Sequence, residues 1–81
     1  MRMTHLVDAR HKINWAAIDL ADHLTQVTGR PVSETHIFAV ERGRYRCKPA
    51  LAAAWAEALG LPPATAFPEI FQVPAVDEVQ P

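Results

Sequence analysis

The chain has 81 residues, 49% hydrophobic and 21% charged, with a net charge of −1 and a single cysteine, Cys47. One domain fits this length, because independent cores need roughly 50–200 residues, and so small a core leaves only a few kcal/mol of net stability, which dimerisation would supplement. The lone cysteine excludes an intramolecular disulfide, no Cys/His spacing resembles a metal site, and no apolar run approaches the ~20 residues of a membrane span or forms a signal segment after Met1, so a cytoplasmic, unprocessed protein without cofactor is expected.

In chain order, Thr4 is a candidate N-cap for a short first helix through Leu6, Val7 and Arg10 to about Lys12, with Ile13 as an apolar anchor. Asn14 can cap a second helix, in which Ala17, Leu20, Ala21 and Leu24 recur at the spacing of a core-facing stripe, Ile18 flanks them, and Asp19, Asp22 and His23 face water. Thr28-Gly29-Arg30-Pro31 then reads as a turn, since glycine permits a left-handed cap and proline biases its predecessor away from helix. Ser33 is the N-cap of a third helix of about ten residues, with Val32 placed to staple against Ile37, Glu34 complementing the helix dipole, Ile37 and Val40 inward, and Gly43 as the stop.

After the basic loop Arg44-Tyr45-Arg46-Cys47-Lys48, Pro49 opens a fourth helix. Its face is Leu51, Trp55 and Leu59 among alanines, and Gly60 closes it. Five of the seven prolines lie beyond, leaving room for one short fifth helix around Ala64–Phe67 or Glu69–Phe71. The expected architecture is all-α, with four to five short helices spanning residues 1–72 and an acidic, proline-containing, flexible tail over 73–81.

Charge is unevenly spread along this plan. Residues 30–48 hold Arg30, Arg42, Arg44, Arg46 and Lys48 against Glu34 and Glu41, whereas residues 49–81 hold acids and no bases. A polar-capped helix set between a turn and a basic loop is the arrangement that puts one helix in a DNA major groove about 12 Å wide, with its first-turn side chains at base edges and flanking cations on phosphates. Ser33, Glu34, Thr35 and His36 take the first role here, Phe38 lies next along the outward side, and Arg42, Arg44, Arg46 and Lys48 follow the backbone.

Several motifs in this order resemble the lambda-repressor-like, Cro-type helix-turn-helix proteins of the XRE family. The segments are Asp19-Leu20-Ala21, Val32 through Arg44 with its Ile37-Phe38-Ala39-Val40-Glu41-Arg42-Gly43-Arg44 close, Lys48-Pro49, Ala56-Glu57-Ala58-Leu59-Gly60-Leu61, and Phe67-Pro68. The resemblance covers roughly residues 14–68. It implies a five-helix domain, a homodimer on a pseudo-palindromic operator, and transcription control, repression ahead of activation, of a phage or mobile-element type. Two departures stand out: eleven residues separate Ala21 from Ser33, about six more than the family's tight turn, and Ala17 stands where the family often has a phosphate-contacting glutamine.

Individual residues keep two readings each. Glu34 either accepts from a cytosine amino group or only stabilises the helix start. Thr35 suits a base edge or a thymine methyl, and is also an ordinary first-turn residue. His36 is either a phosphate ligand or a solvated surface histidine. Phe38 packs on thymine methyls or closes the core edge. Arg42 and Arg44 are the favoured phosphate contacts, Arg46 and Lys48 share a loop that is either bound or solvated, and Arg30 can reach the opposite strand. Glu41 reads as a structural acid paired with an arginine inside the domain, Trp15 and Trp55 as core, and Cys47 as either a redox-active thiol of lowered pKa or an inert surface thiol. The apolar segment carrying Phe67, Ile70, Phe71 and Val73 either folds back on the helices or forms a two-fold dimer contact, with the dimer favoured. A protein-interaction module or an antitoxin on the same fold is the alternative function. No nucleophile–base pair, phosphate loop or metal spacing points to an enzyme.

Overall fold

The computed structural model describes residues 3–71, which form five helices and, among these residues, no strand. They are α1 (Thr4–Lys12), α2 (Ala17–Thr28), α3 (Glu34–Glu41), α4 (Pro49–Leu59) and α5 (Pro63–Ala66). The central helix α2 packs against both α3 and α4, α1 lies across α3 and α4, and α5 closes on α4. The all-helical architecture expected from the sequence is the one found. Val73 and the acidic tail lie outside the described residues.

Thr4 is the first helical residue of α1 and caps nothing; the residue before it, Met3, donates its N–H to the Glu41 carbonyl at 2.8 Å, tying the start of α1 to the end of α3. Asn14 is not the cap of α2. It has a φ of 62° and closes α1 instead, donating to the His11 carbonyl at 2.9 Å while Trp15 N–H reaches back to Arg10 at 3.1 Å. Asparagine suits both an N-cap and a left-handed C-cap, and the sharp exit from α1 selects the second use. The cap position of α2 falls to Ala16, whose N–H is held at 2.8 Å by the Asp19 carboxylate three residues on. Ile13, in the same turn, is exposed and anchors nothing.

Ala17, Leu20, Ala21 and Leu24 form the buried stripe of α2 as their spacing predicts. Helix α4 turns Ala52, Trp55, Ala56 and Leu59 inward, with Leu51 only half-buried. The facing helices α2 and α4 both bury small residues, Ala17 and Ala21 on one and Ala52 and Ala56 on the other, and the large ring of the core is Trp55, which is fully buried and stands edge-on to Phe67 at 5.7 Å between centroids. Trp15 is half-buried at the margin, tilted against His23 at 5.3 Å.

The 12-residue α2 accounts for most of the long interval before Ser33. Residues 22–28 continue the helix, and only 29–32 form the connection, opened by Gly29 at φ 73°. Two threonines in the last turns of α2 shape it. Thr25 Oγ1 donates to the Ala21 carbonyl at 2.8 Å and accepts from Val32 N–H at 2.9 Å; Thr28 Oγ1 donates to Leu24 at 2.6 Å and accepts from Arg30 N–H at 3.3 Å.

One pair of charges is buried among the described residues. Arg10 Nε and Nη2 donate to the Glu41 carboxylate at 2.8 and 3.2 Å, and Nη1 donates to the Trp15 carbonyl at 3.0 Å. Arg10 is thus the internal partner of Glu41, and the pair joins α1, the α1–α2 turn and the end of α3.

Cys47 is neither reactive nor a surface thiol: it is buried in the core, and burial pushes its pKa up to about 11. Raising an acid's pKa in the folded state favours folding while the thiol stays protonated. That contribution is whole below the unfolded thiol's value near 9 and is lost as pH rises through about 11. Titration with a disulfide reagent at neutral pH is therefore expected to modify Cys47 only at the rate of unfolding, and unfolding midpoints are expected to fall from pH 9 upward less steeply in Cys47→Ala. Instantaneous modification of the native protein would contradict this placement.

Candidate nucleic-acid interface

Helix α3 begins at Ser33, whose extended backbone (φ −98°, ψ 162°) and Oγ, accepting from His36 N–H at 3.1 Å, cap it. It is eight residues long because Arg42, Gly43 and Arg44 form a Schellman ending: Gly43 at φ 75° donates to Val40 at 3.0 Å, and Arg44 N–H to Ala39 at 2.9 Å. Ile37, Val40 and Glu41 face inward, so Glu34, Thr35, Phe38 and Arg42 share the solvent side. Phe38 is 36% exposed with the Arg42 guanidinium 5.7 Å above its ring, so it neither closes the core nor stands bare.

His36 departs from the surface histidine of the sequence reading. It is partly buried, packs perpendicular to Tyr45 at 4.9 Å, and its Nε2 is buried with no hydrogen-bond partner. Arg30, Ser33, Glu34, Thr35, Arg44, Arg46 and Lys48 are all exposed. The connection after α2, the start of α3, the loop and the start of α4 meet around a groove of about 480 Å³, which brings Arg30, His36, Tyr45 and Lys48 together; Arg44 and Arg46 do not line it. None of Arg30, Arg42, Arg44, Arg46 and Lys48 enters an ion pair among the described residues.

The four residues assigned to a dimer contact are divided by the structure. Phe67 is 1% exposed within its own chain and so presents no surface. Ile70 and Phe71 are partly buried against the core in the turn that follows, and Val73 lies outside the described residues. The threonine clasp of α2 was missed by the sequence reading, although hydroxyls three residues apart just before Gly29 were its available signal. Among the described residues no three His, Cys, Asp or Glu side chains gather to hold a metal ion, and no helix is long and apolar enough to cross a membrane. Comparison with protein-family models, with characterised proteins and with solved structures finds no match to this chain.

Proposed function

We propose that this chain is a cytoplasmic, sequence-specific double-stranded DNA-binding regulator of transcription, acting as a homodimer with α3 as its recognition helix. The observation that carries the reading is the set of five cations around the Ser33-capped start and Arg42 end of α3, all exposed and none in an ion pair among the described residues. Free cations exchange with condensed counterions on DNA, whereas cations already paired within the protein do not. The motif order resembling the XRE family supports the same reading.

In this mechanism α3 lies in the major groove, with Thr35 and Glu34 at base edges and Phe38 against thymine methyls. Ser33 keeps its Oγ lone pair on the helix and offers its hydroxyl proton to a phosphate. His36 positions Tyr45 and the loop, and contacts no base. Arg42, Arg44 and Arg46 follow one strand while Arg30 and Lys48 hold the other side. Two such domains read half-sites about 34 Å apart.

Selection of sites from random duplex DNA, followed by a salt titration, tests this. The logarithm of affinity is expected to fall steeply with the logarithm of salt, and Arg44→Ala to lower that slope by about one on every sequence. Thr35→Ala is expected to cost about 1–3 kcal/mol on the selected site alone. A flat salt dependence would sink the DNA reading. It would favour a protein-binding module on the same scaffold, for which the exposed Ile13, Ile18 and Val27 supply apolar contacts.

A further inference from the structure

We propose that the groove between the starts of α3 and α4 is a binding site for a small aromatic carboxylate. Its volume of about 480 Å³ falls in the range of ligand pockets, roughly 300–1,000 Å³. Val32 and Leu51, both half-buried, give it apolar walls, and the His36 and Tyr45 rings give it an aromatic one. Arg30 and Lys48 line it as exposed cations, and among the described residues neither enters an ion pair and no carboxylate side chain lines the groove to oppose an anion.

His36 adds a third feature. Its buried Nε2 lacks a hydrogen-bond partner among the described residues, and Tyr45, whose ring packs on it, is a 47% exposed residue at the mouth of the groove. An unmet buried polar atom is a standing cost that a ligand carboxylate relieves by accepting from the imidazole. A DNA phosphodiester meets the cations but leaves the Val32–Leu51 walls wet. A flat ring bearing one carboxylate meets both, its body against the apolar walls and its charge between Arg30 and Lys48. Occupancy removes two of the five exposed cations from the DNA-facing side. The consequence for DNA rests on the proposed function; the binding itself does not.

The test is an amide chemical-shift titration of the full chain with 2-naphthoate, its neutral analogue 2-naphthamide, and inorganic phosphate. Saturable shifts are expected at Val32, His36 and Leu51 with a Kd of about 1 mM or tighter for 2-naphthoate, and about tenfold weaker for the amide. Phosphate should perturb Arg30 and Lys48 without saturating at these concentrations. The surface double variant Arg30→Gln/Lys48→Gln, with circular dichroism to confirm its fold, should bind 2-naphthoate and 2-naphthamide equally weakly. Shifts that map elsewhere, no saturation by about 10 mM, or equal affinity of the wild type for the acid and the amide would overturn the site. A second arm measures DNA affinity with 2-naphthoate present, where competition is expected. A chain that binds 2-naphthoate but no DNA retains the pocket and loses the regulator; one that binds DNA but not 2-naphthoate does the reverse.

Discussion

Glu41→Ala is expected to remove about 3–5 kcal/mol of stability, the cost of leaving a buried guanidinium without its counter-charge. Arg10 cannot escape to water when the carboxylate is lost, because its Nη1 is already held by the Trp15 carbonyl and both side chains of the pair are at most 7% exposed. A domain of this size has about 4–12 kcal/mol in total at 0.05–0.15 kcal/mol per residue, so the variant should lose a quarter or more of its stability. Urea denaturation followed by circular dichroism measures the loss. Arg10→Met/Glu41→Leu is expected to recover most of it, since both desolvation costs disappear together and only the Trp15 carbonyl loses a partner, worth about 1 kcal/mol. A loss below about 1 kcal/mol in Glu41→Ala would mean that water reaches the pair.

The parts of the fold that could be read in advance are those decided within one or two helical turns. Leu20, Ala21 and Leu24 recur at helical spacing, Ser33 caps the residue three positions on, and Gly43 and Gly60 sit at left-handed stops. What could not be read depends on contacts distant in sequence. Asn14 has the chemistry of two different caps, and only the path of α1 into α2 chooses between them. Arg10 and Glu41 are 31 residues apart, so Glu41 could be identified as a paired acid while its partner could not. Cys47 stands between Arg46 and Lys48 and reads as a surface thiol, yet the loop turns it inward while both neighbours stay out. At the candidate interface, the exposure of Arg42, Arg44, Arg46 and Lys48 follows from charge alone. The inward turn of His36 onto Tyr45 does not, because eight residues and a Schellman ending separate the rings.

Phe67→Ala is expected to cost about 3–5 kcal/mol by a route independent of any dimer. Its ring is 1% exposed and edge-on to Trp55, so truncation both opens a cavity and forfeits an aromatic pair worth about 0.5–1.5 kcal/mol beyond its area. The carbonyl of Phe67 also accepts from Ile70 and Phe71 N–H, each at 3.0 Å, so the turn carrying those two residues hangs on the same anchor. A residue buried by its own chain destabilises equally at every protein concentration, whereas one buried by a partner gives a melting temperature that rises with concentration. The loss in Phe67→Ala should therefore be the same from micromolar to millimolar protein, with the concentration dependence of the wild type unchanged. If a two-fold contact forms at this end, its apolar face comes from Ile70 and Phe71, and Phe71→Ser should shift the monomer–dimer equilibrium in sedimentation while changing the monomer's stability far less than Phe67→Ala does. A concentration-dependent loss in Phe67→Ala would instead place its ring in the partner.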